Sequence, residues 1–127
     1  MAVTGLIDSV YAGNQREIRY TVIDQDNGGV AKDLTGISAR WALARLSTSG
    51  DPITATPVVT KDSANGSSEI NITDPTNGKL SVFLLGTDSE PLAGDFYFEL
   101  ELYIDSTPFT LVVATGTLTV LKNVVNP

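Results

Sequence analysis

The sequence predicts an all-β sandwich. Val, Ile, Leu, Thr and aromatic residues dominate it, and they fall in short stretches that alternate apolar with polar positions. Gly, Asn, Asp and Pro interrupt those stretches at intervals of roughly 8–12 residues, the spacing of strands joined by tight turns. A length of 127 residues fits a single domain, taken here as 1–127. A chain of this size buries roughly two-thirds of its unfolded surface, enough for a core without metal or disulfide support.

The elements follow in order. Residues 15–23 put Ile18, Tyr20 and Val22 on one face and Glu17, Arg19 and Thr21 on the other, a period of two that only a strand satisfies. Asp24, Gln25, Asp26, Asn27, Gly28 and Gly29 then turn the chain. Ile37, Ala39, Trp41 and Leu43 form the next apolar face. Residues 38–46 are also rich in the helix formers Ala, Leu and Arg, but Trp41 keeps step with the alternation, which favours a strand. Residues 53–61 read as a strand at a sheet edge, because Pro57 has no N–H to give to a neighbour. A short strand over 68–72 turns Ile70 and Ile72 inward. Asp74, Pro75, Thr76, Asn77 and Gly78 make a turn, and Leu80, Val82 and Leu84 resume the alternation.

After a connection over 86–93 comes the clearest strand. Phe96, Phe98, Leu100, Leu102 and Ile104 alternate with Tyr97, Glu99, Glu101 and Tyr103. In the last run the parity changes: Phe109, Leu111 and Val113 share one phase, Leu118 and Val120 the other. A bulge near Ala114 to Gly116 reconciles them, since one extra residue shifts every later side chain to the opposite face. The total is seven to eight antiparallel strands, which suits an immunoglobulin-like β-sandwich with Trp41 as its central aromatic. The core is expected to comprise Ile18, Tyr20, Val22, Trp41, Leu43, Leu80, Val82, Leu84, Phe96, Phe98 and Leu100.

Composition removes several kinds of chemistry. There is no cysteine and no histidine, so disulfides, thiolate or imidazole metal sites, and Ser-His-Asp or Cys-His triads are all excluded. No phosphate-cradling glycine motif occurs. Glu99 and Glu101 share a strand face as a glycosidase pair would, but a solvated outer face explains them as well, and no catalytic residues and no enzymatic activity are expected. Asp24 to Gly29 has the alternate oxygen ligands of a calcium loop. Thr35 stands where the closing bidentate Glu belongs, so neither metal nor other cofactor is expected. The net charge is −7, and Arg16, Arg19, Arg40 and Arg45 are spread over two strands, so nucleic acid and anionic membrane are not expected partners. Residues 1–13 lack the apolar core of a secretory signal, and no apolar run reaches the roughly 20 residues of a membrane helix. Folding in a cytoplasm is the expected setting.

Binding is what remains. Tyr97 and Tyr103 point away from the Phe96–Phe98 face and make a candidate interface, either for another protein or for a sugar. Val124 and Val125 are apolar residues with nothing left in the chain to cover them. The segments 1–11 and 118–127 are therefore expected to lie against neighbouring subunits.

The order of segments resembles the immunoglobulin-like N-terminal domain of tailed-bacteriophage baseplate upper proteins and related small phage virion proteins. The stretches that carry the resemblance are Thr21 to Gly29, Asp33 to Gly36 leading into Ala39 to Leu43, Asp74 to Gly78 with Leu80 to Val82, Ala93 to Leu100, and Ala114 to Val120. The resemblance implies a structural virion protein, present in many copies, whose partners are other virion structural proteins. Baseplate, tail, neck and capsid decoration all remain open as its position. The alternative is a host-surface or carbohydrate-binding module.

Overall fold

The computed structural model describes residues 2–4, 9–24, 28–53 and 56–122. In chain order the strands are β1 (Ala2–Thr4), β2 (Ser9–Tyr11), β3 (Arg16–Asp24), β4 (Val30–Ala31), β5 (Ser38–Arg45), β6 (Val59–Asp62), β7 (Ile70–Asp74), β8 (Lys79–Leu84), β9 (Gly94–Ile104) and β10 (Phe109–Leu121). The protein is all-β with two sheets. The first runs β1-β3-β8-β7, with β4 on the end of β3, and the second runs β2-β10-β9-β5-β6.

The period-two pattern decides which faces meet. Ile18, Tyr20, Val22, Leu80, Val82 and Leu84 from the first sheet join Trp41, Leu43, Phe96, Phe98 and Leu100 from the second in one buried cluster, as the alternation requires. Trp41 is 1% exposed and stacks on Phe98 with ring centroids 6.2 Å apart. Its Nε1–H donates to the Tyr20 hydroxyl at 3.1 Å, so the one polar atom of the indole is satisfied from the opposite sheet. Residues 38–45 are strand and not helix: β5 lies between β9 and β6, where neighbours take up its backbone on both sides.

The parity change in the last strand comes from a register shift between Val112 and Ala114, at the near end of the stretch expected. Val113 and Ala114 are both buried, and Leu118 and Val120 then face inward. Gly116 has a different reason to be glycine. A Cβ there would sit 2.8 Å from Cε1 of Phe98, so the position lets that ring lie against bare backbone.

Several expectations need correction. Ten strands are described, because β1, β2 and β4 have only two or three residues each and show no readable alternation. β2 pairs with β10 in parallel, so the second sheet is not wholly antiparallel. The strand expected over 53–61 starts only at Val59. Pro52 makes an isolated bridge to Leu46, and pairing becomes continuous after Pro57, with the strand at a sheet edge. The connection over 86–93 contains a short helix, Gly86–Ser89.

The described parts of the terminal segments pair within the chain. Ala2–Thr4 pairs with β3, Ser9–Tyr11 with β10, and Leu118 to Val120 with β9, all within the chain. The short N-terminal strands β1 and β2 thus each form one edge of a sheet. Val124 and Val125 lie outside the described residues, as do Gln25, Asp26 and Asn27 of the loop weighed for calcium.

One feature of the corner between β8 and β9 has no counterpart in the sequence reading. Lys61 faces inward from β6, is 6% exposed, and places Nζ 2.7 Å from Oδ2 of Asp88 in the short helix. The same carboxylate oxygen accepts from the Leu85 N–H at 2.8 Å. Beside it, the fully buried Ser89 hydroxyl accepts from the Gly13 N–H at 3.0 Å and donates to the Asn14 carbonyl at 3.2 Å. The edge of the second sheet, the turn before β3 and the β8–β9 crossing are thereby tied together.

Candidate functional site

The outward positions of the second sheet are fixed by register. Tyr97 lies between Thr117 and Ala44, Glu99 between Thr115 and Ala42, Glu101 between Val112 and Arg40, and Tyr103 between Thr110 and Ser38. Thr119 and Asp95 extend the face toward β2, and Thr119 donates to Asp95 at 2.7 Å. The result is a broad surface of hydroxyls, small side chains, two tyrosines and scattered carboxylates.

A rigid polar cluster occupies one end of this face. The Arg40 guanidinium lies 4.0 Å from the Tyr103 ring centroid, and its Nε is 2.7 Å from Oε1 of Glu101. The Tyr103 hydroxyl donates to Oδ1 of Asp62, which also accepts from the Ala64 N–H at 2.9 Å. Each member holds another in place, so the cluster loses little side-chain freedom if a partner covers it. Loss of water around the phenol, followed by the neighbouring Asp62 carboxylate, pushes the Tyr103 pKa up to about 12.

This arrangement corrects the reading of Tyr97 and Tyr103 as an exposed aromatic pair. Tyr103 is only 5% exposed because Arg40 covers it. The two rings also stand six residues apart on one strand, roughly 20 Å at the usual rise per residue. They do not form a single sugar-sized platform. Tyr97 remains partly open. It borders a shallow depression of about 50 Å³ together with Ala42, Ala44, Pro57 and Glu99. Removal of water and then the Glu99 carboxylate raise its pKa. Around the face, Val112 and the register partners Tyr11 and Leu121 leave apolar surface exposed.

The outer face of the first sheet is different. Glu17 accepts from the Ser81 hydroxyl at 2.6 Å and pairs with Arg19 at 3.2 Å. The Ser81 bond, ahead of Arg19, holds the Glu17 carboxyl below its ordinary range. Beside them runs an open groove of about 400 Å³ flanked by Arg19, Thr21, Thr73 and Lys79. Arg16, Arg19, Arg40 and Arg45 are all exposed, as expected for outer strand positions.

Glu99 and Glu101 do share the outer face, as the period requires, but Glu101 is engaged by Arg40 on an open sheet surface. Among the described residues no three acidic side chains gather as a metal site would require, and no helix is long and apolar enough to cross a membrane. The sequence reading missed the cluster around Tyr103. Alternation places Arg40 outward, yet the pairing of Arg40 with Glu101 and of Tyr103 with Asp62 depends on which strands become neighbours. Comparison with known proteins returns neither a matching protein-family model nor a matching curated protein.

Proposed function

We propose that this chain is an immunoglobulin-like structural virion protein of a tailed bacteriophage, working by protein–protein assembly rather than catalysis. Three features support the reading. The sheet orders β1-β3-β8-β7 and β10-β9-β5-β6 follow the A-B-E-D and G-F-C-C′ orders of variable-type immunoglobulin sandwiches. The segments that resemble phage baseplate domains fall on β3, β5, β8, β9, β10 and the turns between them. The observation that carries the functional part is the outer face of the second sheet. It is broad, with Tyr97 near its middle and the preorganised Arg40–Tyr103–Asp62 cluster at one end. Tyrosine and arginine held in a fixed geometry are what protein interfaces use as anchors.

The host-surface or carbohydrate-binding alternative calls for exposed aromatics and loop carboxylates, and Tyr103, one of its two candidate rings on this face, is buried under Arg40. The test of the assembly reading is Tyr97→Arg, which puts a bulky charge in the middle of the face without entering the core. The variant is expected to melt like the parent and to enter phage particles at about one-tenth the parent level or less, corresponding to one interface anchor lost. Incorporation at the parent level would contradict the reading.

A further inference from the structure

We infer that Asn65 is a site of spontaneous deamidation, and that the fold directs this chemistry to Asn65 while shielding Asn77. The inference does not depend on the assembly reading above. Its starting point is local. In an Asn-Gly pair the glycine nitrogen reaches the asparagine side-chain carbon with little obstruction, because glycine carries no Cβ. The sequence holds three such pairs, at Asn27, Asn65 and Asn77, and Asn27 lies outside the described residues. Asn65 and Asn77 each end a single-turn helix (Ser63–Asn65 and Pro75–Asn77), and the glycines that follow take φ of +116° and +69°. Those turns call for glycine, and the reactive pair comes with it.

The reaction exchanges an amide for a carboxylate. The Gly66 nitrogen loses its proton to solvent base and attacks Cγ of Asn65. A five-membered succinimide forms as the Cγ–Nδ2 bond breaks, and the leaving nitrogen takes a proton from water and departs as ammonia. A second water then opens the ring. Cleavage of the bond from the ring nitrogen to Cγ gives aspartate. Cleavage of its bond to the main-chain carbonyl carbon gives isoaspartate, in which the chain runs through the side chain. Water enters and ammonia leaves, so the step balances with no oxidant or cofactor.

The backbone amide bonds do not separate the two sites. Gly66 donates to the Ser63 carbonyl at 3.3 Å and Gly78 to the Pro75 carbonyl at 3.2 Å, both long for such bonds. The surroundings do separate them. Residues 64–68 are exposed, and a Cβ on Gly66 would meet nothing within 4 Å. Gly78 is buried, and a Cβ there would meet the carbonyl oxygens of Val22 and Lys32 at 2.4 and 2.9 Å. The Gly78 carbonyl also accepts the Val22 N–H at 2.8 Å. Closing a flat ring at Asn77 therefore moves backbone that its neighbours hold, whereas Asn65 closes its ring in open solvent. The leaving amides follow the same order. Asn77 Nδ2 donates to Oδ2 of Asp74 at 2.9 Å, and Asn65 Nδ2 donates to Oε1 of Glu69 at 3.3 Å.

The product changes the polar cluster at the end of the second sheet. The same Oε1 of Glu69 accepts the Asp62 N–H at 3.1 Å, and the Asp62 side chain accepts from the Tyr103 hydroxyl. Deamidation replaces the Asn65 donor with a second carboxylate facing Glu69. Like charges then repel at the group that anchors Asp62, and the surroundings of Tyr103 change with it.

The test is incubation of the full chain in mildly alkaline buffer, folded and in urea, followed by peptide mass spectrometry that separates aspartate from isoaspartate. In the folded protein Asn65 is expected to convert at least about tenfold faster than Asn77, and in urea the two rates should approach each other. Folded-state conversion of Asn77 at the Asn65 rate overturns the inference. So does a folded protein in which Asn65 is slowed as strongly as Asn77 relative to urea. Asn65→Asp supplies the aspartate product directly. It should move the Tyr103 ring signals in NMR spectra while the core signals stay in place, and unmoved Tyr103 signals would overturn the link to the cluster.

Discussion

Trp41 and Tyr20 form the hydrogen bond that joins the two sheets through the core, and each has a distinct expected effect. Trp41→Ala should cost about 3–5 kcal/mol, the range for a large buried side chain replaced by a cavity, and urea unfolding measures it directly. Tyr20→Phe leaves the indole N–H without its acceptor in an apolar setting, so a loss of about 1–3 kcal/mol is expected. Tyr20 also sets an alkaline limit. Burial raises its pKa to about 12, against an ordinary value near 10 in the unfolded chain. Below pH 10 both states keep the proton, and the stabilisation is complete. Above it the unfolded state ionises first, so stability falls as pH rises toward 12, by up to about 2–3 kcal/mol for this group. Denaturant midpoints taken across that window should slope downward in the parent and less steeply in Tyr20→Phe.

The Lys61–Asp88 pair gives a sharper contrast. Asp88→Ala leaves a nearly buried ammonium without its partner and should cost about 3 kcal/mol or more. Lys61→Met keeps the apolar stem and leaves a carboxylate that is 23% exposed and still bonded to the Leu85 N–H, so about 1 kcal/mol is expected. Equal losses in paired unfolding curves would argue that the ion pair is not what the corner depends on. Alternation could not reveal this pair. A lysine at an inward position looks like an error of register until the short helix that supplies the carboxylate is in place.

At the scale of elements, strand alternation was readable wherever one face is buried and the run is long. β3, β5, β8 and β9 follow the sequence pattern, and all eleven residues expected in the core are buried there. β1, β2 and β4 were not readable. Two or three residues cannot show a period of two, and their pairing is decided by distant strands. The bulge was legible as a change of parity, and the register shift between Val112 and Ala114 falls next to the stretch expected. The two glycines that touch neighbours should respond differently to alanine. Gly78 has φ of +69°, and an added Cβ would meet the Val22 carbonyl oxygen at 2.4 Å, where backbone cannot yield. Gly116 would press on the Phe98 ring, which can shift. Thermal melts should therefore show Gly78→Ala losing several degrees more than Gly116→Ala.

For the whole molecule, the two-sheet architecture was legible and the outer face of the second sheet was so only in outline. The sequence placed Tyr97 and Tyr103 on the outer side. It could not show Arg40 covering Tyr103, because that contact joins strands far apart in the chain. A protein held together by this core is expected to need no metal, so chelator should leave the melting temperature unchanged. A rise of several degrees in millimolar calcium would contradict that, since a ligand stabilises the state it binds.

The central claim is that this chain is built into a tailed-phage particle. Quantitative mass spectrometry of gradient-purified particles tests it most directly. The expected result is that peptides of this chain co-purify with the particles through the gradient in a fixed ratio of several copies per portal or capsid protein. Peptides abundant in the lysate but absent from purified particles would contradict the claim.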